Sequence, residues 1–297
     1  MSRKLLSAVS ILGLCAIAVL TFSLTGCGGG SSTDAVKNDR DPEPKVAVAK
    51  SDDKTGPVTK KAGPSTGGGK AYDATMATGS VKGVVTFEGK PQKMSLIPVS
   101  EEQCKMHHGD KGLKKEDLVV SDDGKVANVV VFVSEGYKEY NFDSLKMANE
   151  HVNQLGCQYI PHVLAMKVDQ TLEIESSDPV AHNVHGVPKE NTEFNFSQTS
   201  KGISPTKPVF GTAEMGIVIK CDVHGWMKAY VCVFDHPFFA VTKADGTFEI
   251  KLPPGEYTVT TWQELQATKK VIASAPVKVK VEAGKAADAS FTYKMKP

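Results

Sequence analysis

Three residues that commonly bind soft metal ions follow one another at equal spacing between two apolar runs. In the stretch KCDVHGWMKAY, Cys221, His224 and Met227 are three residues apart. A tight loop can turn a thiolate, an imidazole and a thioether toward one point. Two sulfurs with a nitrogen favour copper over calcium or magnesium, which bind oxygen. Three donors alone do not complete a coordination sphere. The alternative interpretation is therefore a small buried cysteine beside a surface turn that binds no metal.

A further imidazole lies upstream, where the stretch DPVAHNVHG contributes His182 and His185. One Cys and two His in a trigonal set, with a weak axial Met, form the blue-copper electron-transfer site. In an extended chain, residues three positions apart face opposite sides, so His182 and His185 are not expected to share one metal ion. The spacing therefore predicts a copper centre that uses one of these two histidines.

The sequence around these residues predicts β-strands. Apolar and polar residues alternate, or β-branched residues form short continuous runs, and turn residues separate the segments. A short helix is possible between Tyr140 and Val152, but no helical run is long enough for a βαβ crossover. Short strands at this spacing indicate an all-β sandwich. The predicted strands lie in GSVKGVVTFEGKP, VANVVVFV, HVLAMKV, QTLEIESSD, GIVIKC, KAYVCVFD, GTFEIKLPPGEYTVTTW and APVKVKVEAGKAADASFTY.

Residues 1–26 are predicted to be a lipoprotein signal peptide. A positive start precedes an apolar run from Leu5 to Leu24, and LTGC matches the bacterial lipobox, in which Cys27 would be lipidated. The alternative is one membrane-spanning helix, since the run is just long enough. Either places the body of the protein outside the cytoplasm as a membrane-anchored, periplasmic chain. Gly28 rather than Asp after the lipidated cysteine favours the outer membrane.

Residues 27–78 are predicted to be a disordered tether, because they are rich in Gly, Ser, Thr, Lys, Asp and Pro. A flexible coil of this length spans about 40 Å. The remaining residues suffice for one elaborated β domain or two small ones. The formal net charge is +1, and no basic stripe with interleaved aromatic residues is present. Nucleic acid is therefore not expected as a partner.

Four cysteines remain beyond the signal peptide and the lipidated residue, in an oxidising compartment. If Cys221 is a metal ligand, it must stay unpaired. The preferred disulfide is then Cys104–Cys157, which leaves Cys232 as a buried free thiol. The sequence does not fix this connectivity.

The motif HNVH followed by CDVHGWM resembles the cupredoxins, the plastocyanin- and amicyanin-like blue copper proteins, over roughly Leu172 to Asp235. The resemblance implies a Greek-key β-sandwich that holds one type 1 copper. It also implies that Asn183 ties the two ligand loops together and that His185 is not a ligand. The implied copper ligands are His182, Cys221, His224 and Met227.

This resemblance implies a single-electron carrier rather than an enzyme, because four protein ligands leave no open position for a substrate. In the family the loop histidine, here His224, lies near the surface and is the exit for the electron. Gly225 and Trp226 would then contribute to an apolar docking surface, although Trp226 is equally explained by packing. The expected partner is a redox protein such as a c-type cytochrome or a periplasmic dehydrogenase.

A second resemblance concerns the ends of the folded part. GSVKGVVTFEGKP and DGTFEIKLPPGEYTV resemble the carboxypeptidase regulatory-like, transthyretin-like β-sandwich. The order PHVLAM, SDPVAHNVH, KCDVHGWM and DHPFFAVT is similar to bacterial lipoproteins labelled methylamine utilization protein, a label that does not establish methylamine as a substrate. The predicted organisation is a cupredoxin-like domain with an N-terminal elaboration in 79–235 and a smaller β-sandwich in 236–297.

Two rival functions remain open. The first is a copper carrier or storage protein without redox turnover, for which CKMHHGD would supply a second soft-metal cluster from Cys104, Met106, His107 and His108. More often such a group is a disulfide cysteine beside solvated histidines. The second rival is a structural β-sandwich with a vestigial metal site. For His151 and His162 only structural roles are expected.

Overall fold

The computed structural model describes residues 68–90 and 93–297. The predicted signal peptide, the lipidation site at Cys27 and most of the predicted tether lie outside the described residues. Within the described part of the chain, no helix is long and apolar enough to span a membrane.

Strands dominate the described residues, and the predicted all-β class is confirmed. The helix considered between Tyr140 and Val152 does not form, since short strands lie at both ends of that segment. Among the described residues, the α-helices are α1 (Glu102–His108) and α2 (Glu264–Ala267), and 3₁₀ turns cover Ala74–Met76 and Gly109–Lys111. The strands are β1 (Lys70–Ala71), β2 (Gly79–Glu88), β3 (Val130–Glu135), β4 (Tyr140–Asn141), β5 (Glu150–Gln154), β6 (Tyr159–Ile160), β7 (Val163–Lys167), β8 (Leu172–Ser176), β9 (His182–Val187), β10 (Phe194–Gln198), β11 (Gly202–Ile203), β12 (Glu214–Lys220), β13 (Lys228–Phe234), β14 (Phe239–Val241), β15 (Thr247–Leu252), β16 (Gly255–Trp262), β17 (Val271–Ala273), β18 (Val277–Val281), β19 (Ala286–Asp288) and β20 (Phe291–Met295).

One sandwich carries the predicted metal ligands. Its sheets have the strand orders β10-β9-β12-β13-β7 and β11-β8-β5-β6. In β8, the alternation of LEIES buries Leu172 and Ile174 while the glutamates between them stay partly exposed. These side chains pack against Val184, Ile219 and Val231 of the other sheet. Each such fully buried aliphatic side chain contributes about 1.5–3 kcal/mol, so the sheets that present the ligands are held firmly together.

The second sandwich combines the orders β14-β3-β16-β18 and β15-β2-β20-β17, with β19 paired to β2. Strand β2 pairs antiparallel with β15 and parallel with β20. The pairing therefore joins strands on both sides of the predicted boundary between residues 235 and 236. Sheet hydrogen bonds can connect strands that are far apart in the sequence. The division into domains at 79–235 and 236–297 stays a prediction.

Strand β3 contacts both sandwiches. Its side chains Val131 and Val133 belong to the core of the second sandwich, whereas Val130 packs with Ala165 of β7 and Cys232 of β13. The apolar residues of the run VANVVVFV are buried, apart from Phe132, which is partly buried.

The structure differs from the predicted tether at its C-terminal end. Strand β1 pairs in parallel with β4, and Tyr72, only 8% exposed, packs its ring against Tyr140, Phe142 and Phe238. The polar composition of residues 27–78 as a whole predicted a disordered tether and did not indicate that Tyr72 is buried. One buried tyrosine can therefore extend the folded part into residues 68–78.

His236 provides a test of the fold by pH. Its side chain is 2% exposed, its ring centroid lies 4.1 Å from that of Tyr137, and its Nδ1 accepts a hydrogen bond from the Phe238 amide. Burial lowers the pKa of His236 from 6.5 to about 3. Between pH 6.5 and 3, His236 therefore binds a proton in the unfolded chain but not in the folded chain. The free energy of unfolding falls as the pH falls through this range.

We expect this histidine to contribute up to roughly 4 kcal/mol of the stability lost between pH 6.5 and 3. The measurement is the free energy of unfolding against pH for the unmodified chain and for His236→Phe, which cannot titrate. The two curves should diverge below pH 6.5, with the steeper loss in the unmodified chain. Parallel curves would contradict this account of the His236 environment.

Candidate metal centre

The loop between β12 and β13 is closed by its own backbone. The Cys221 amide donates to the Met227 carbonyl at 3.1 Å, and the Met227 amide donates to the His224 carbonyl at 2.8 Å. Cys221, directly after β12, and Met227, directly before β13, therefore lie side by side at the strand ends. Both side chains are buried in the core of the ligand sandwich.

His182 at the start of β9 joins this loop because β9 is the neighbour of β12. Its Nδ1 lies 3.0 Å from Nδ1 of His224, and Cys221 Sγ lies 3.7 Å from the same His224 nitrogen. The donor atoms of these three residues all lie within 4.8 Å of one another, and all three side chains are buried. A single ion can thus be reached by two imidazoles and one thiolate, a donor set that fits copper.

The surroundings of Cys221 favour its thiolate. Burial raises the pKa of the thiol, but hydrogen bonds from His182 and from backbone N–H groups outweigh burial, so the pKa is lowered overall. The His224 amide points at the sulfur from 3.4 Å. Since the thiolate is the form that binds metal, the pocket prepares the ligand in its binding state.

Asn183 holds the two ligand-bearing segments together. Its Oδ1 accepts the Asp222 amide at 2.6 Å and lies 3.4 Å from Cys221 Sγ. Its Nδ2 donates to Asn195 on β10 at 2.8 Å. One amide side chain thereby links β9, β10 and the loop, which is the role that the cupredoxin resemblance implied.

Asp178 is a residue of the site to which the sequence analysis gave no role. Its Oδ2 lies 2.9 Å from His182 Nε2, and its carboxylate accepts the amides of Gly156 and Cys157 at 2.6 and 2.7 Å. Burial lowers the pKa of His182, but Asp178 and Cys221 outweigh burial and raise it to about 9. The carboxylate fixes the outer nitrogen of His182, so Nδ1 faces the other donors. The sequence feature that could have indicated this role is the position of the aspartate, four residues before His182 in SDPVAH.

His185 lies apart from the cluster. Its Nδ1 contacts Asp222 at 2.8 Å and its Nε2 contacts Glu193 at 2.9 Å. Both ring nitrogens are thus engaged by carboxylates, and His185 belongs to none of the donor groups found among the described residues. This geometry agrees with the expectation that His182 and His185 do not share an ion.

His224 differs from its expected position near the surface. Only 4% of the residue is exposed. The sulfurs of Cys104 and Cys157 lie within 4.8 Å of its ring nitrogen, and the Trp226 ring centroid is 5.3 Å away. The cover comes partly from helix α1, which belongs to the upstream segment that the cupredoxin resemblance does not include. The expected surface exit at His224 is therefore wrong.

Cys104 and Cys157 form a disulfide, with Cα atoms 5.5 Å apart, and Cys232 is a buried free thiol. Burial raises the pKa of Cys232 to about 12. His108 Nε2 donates to the Gly156 carbonyl at 2.7 Å. Neither His107 nor His108 belongs to a group of three metal donors in the described residues. The soft-metal cluster considered for CKMHHGD is thus not assembled there.

The remaining histidines have structural partners. His162 Nδ1 donates to the Lys228 carbonyl at 3.2 Å, and its Nε2 lies 2.9 Å from a Glu264 oxygen. His151 pairs with Glu175 at 2.9 Å near the surface. These contacts fit the structural roles expected for both residues.

Changing Asp178→Asn should weaken copper binding by about 10- to 100-fold, because the histidine loses the carboxylate that orients it and increases its basicity. The measurement is competition with a chromophoric copper chelator. Asp245→Asn, in an exposed turn of the other sandwich, is the matched control and should leave the affinity unchanged. Equal affinities of the two variants would exclude a role for Asp178 in positioning His182.

No protein-family model matches the chain, and no curated protein matches it. Among solved structures, it is similar to a copper-containing nitrite reductase from Thermus scotoductus SA-01, with 18% identity and a TM-score of 0.28 over 31% of this chain and 24% of that one. A Cu(I) amicyanin mutant matches at 17% identity and a TM-score of 0.26, over 35% of this chain and 97% of that one. A purple cupredoxin from Nitrosopumilus maritimus matches at 18% identity and a TM-score of 0.25, over 29% and 99%.

Proposed function

We propose that this chain is a type 1 copper protein that carries single electrons between redox partners outside the cytoplasm. The observation that supports the proposal is the buried convergence of the His182, Cys221 and His224 donor atoms. Met227, at the end of the same loop, is the proposed axial ligand. Bound copper would supply a one-electron couple between its two oxidation states.

The chain's own contribution is a buried site whose ligand segments are held by hydrogen bonds. Asn183 fixes the loop relative to β9, and Asp178 fixes the ring of His182. Ligands held in this way need little rearrangement when the charge of the centre changes. The four proposed ligands leave no open position for a substrate, so we propose electron transfer rather than catalysis.

The electron route must differ from a direct exit at His224, since that ring is covered. Trp226 contacts the His224 ring and also lines a cavity of about 570 Å³, together with Gly225 and Met227. We place the contact with a partner, such as a c-type cytochrome or a periplasmic dehydrogenase, at this half-exposed tryptophan. Lipidation at Cys27 would keep the protein at the membrane, with the outer membrane favoured.

Redox turnover separates this proposal from a copper carrier. The copper-loaded chain is reduced with ascorbate, separated from the remaining ascorbate and mixed with an oxidised c-type cytochrome, and cytochrome reduction is followed by absorbance. One equivalent of cytochrome should be reduced per copper, and repeated cycles should keep the copper bound. Release of copper, or no reduction at any cytochrome concentration, would favour the carrier.

A further inference from the structure

The disulfide lies directly beside the candidate copper centre. The sulfurs of Cys104 and Cys157 and a ring nitrogen of His224 lie within 4.8 Å of one another, and all three residues are buried. A second group with the same spacing joins Cys157 to Asp178 and His182. The Cys157 sulfur thus adjoins both imidazoles of the centre and the Cys104 sulfur adjoins His224, but neither takes part in the centre while they are bonded to each other.

The segments that carry these sulfurs have anchors other than the disulfide. The Cys157 amide donates to Asp178 at 2.7 Å, and the Cys157 carbonyl accepts Trp226 Nε1 at 3.2 Å. Helix α1, which carries Cys104, is tied to the same turn by the hydrogen bond from His108 to the Gly156 carbonyl. These contacts do not depend on the S–S bond, so we expect the two sulfurs to stay adjacent after reduction.

Two adjacent thiolates form a soft donor pair, which suits Cu(I) and zinc among the common biological ions. The neighbouring imidazole of His224 and the carboxylate of Asp178 lie close enough to add a donor. Both already serve the first centre, so the set falls short of the four protein donors that a structural zinc site takes. The chemistry of the set therefore favours Cu(I).

We propose that reduction of the Cys104–Cys157 disulfide creates a second Cu(I) site next to the copper centre. The capacity of the chain for Cu(I) then depends on the thiol redox state of its surroundings. This site goes beyond the proposed electron-transfer function, although it shares the environment of His224. It gives the chain a storage capacity without the histidines of CKMHHGD.

The reaction has two balanced steps. A dithiol reductant transfers two electrons and two protons to the disulfide, the S–S bond breaks, and the reductant becomes a disulfide. Cu(I) then displaces the two protons, which pass to solvent, while two copper–sulfur bonds form. Metal binding to cysteine releases protons in this way because the thiolate is the ligand.

The experiment is a Cu(I) titration of the full chain in its oxidised and reduced forms, with bicinchoninate as competitor. Dithiothreitol reduces the disulfide and is removed without oxygen before copper is added, and a thiol assay confirms two additional thiols. We expect one additional Cu(I) per chain in the reduced form. An equal copper count in both forms would overturn the proposal.

Two variants make the assignment specific. The double change Cys104→Ser and Cys157→Ser should abolish the increment on reduction, whereas Cys232→Ala, which removes the distant buried thiol, should keep it. Loss of the increment in Cys232→Ala, or its persistence in the double variant, would overturn the assignment. The visible spectrum of the Cu(II)-loaded oxidised chain reports on the first centre separately, so failure of the proposed function is distinguished from failure of this inference.

Discussion

Changing Cys221→Ser should abolish the intense visible absorption of the Cu(II)-loaded chain and weaken copper binding by at least about 100-fold. The absorption is expected from charge transfer between the thiolate and Cu(II), which a serine hydroxyl cannot supply. Burial raises the pKa of Cys221, but hydrogen bonds from His182 and from backbone N–H groups lower it overall, which favours the thiolate ligand. The measurement combines the visible spectrum with chelator competition.

Cys232→Ala is the matched control for this change. Cys232 is also a buried free thiol, but it lies between β3, β7 and β13 rather than among the imidazoles. The control should keep both the colour and the affinity. Retention of the absorption in Cys221→Ser, or its loss in Cys232→Ala, would place the coloured site elsewhere.

The second large effect is expected at His182. Changing His182→Ala removes one of the two imidazoles and leaves Asp178 as a buried carboxylate without its partner. Copper affinity should fall by at least about 100-fold, and the remaining Cu(II) should lose its blue-copper spectrum because the trigonal donor set is incomplete.

His185→Ala provides the matched control on the same strand. Its ring is engaged by Asp222 and Glu193 near the surface. Side-chain contacts of this kind near the surface contribute less than about 1 kcal/mol, so the affinity should change by less than about fivefold. The comparison decides between the two histidines of HNVH, and a larger loss in His185→Ala would reverse the ligand assignment.

The local part of the site could be predicted from the sequence. The three-residue spacing of Cys221, His224 and Met227 between two predicted strands indicates a short loop that carries all three. The pairing of β9 with β12 brings the upstream HNVH beside this loop. The expectation that Asn183 links the two ligand-bearing segments came from the cupredoxin resemblance. The geometry at these positions depends on a few neighbouring residues, which is why the pattern was informative.

The parts that sequence did not predict depend on distant contacts. Asp178 lies only four residues before His182, but its carboxylate is also held by the amides of Gly156 and Cys157, which are distant in the sequence. The burial of His224 depends on the disulfide and Trp226. Likewise, β2 pairs with strands near the C-terminus. Pattern and propensity describe segments, whereas these features arise where segments meet.

The most direct test of the central claim is the visible and electron paramagnetic resonance spectrum of the full chain loaded with one equivalent of Cu(II). We expect an intense blue absorption with narrow copper hyperfine splitting, because one thiolate and two imidazoles would surround the ion. A pale protein with wide splitting, or one that binds no Cu(II), would contradict a type 1 copper centre at Cys221.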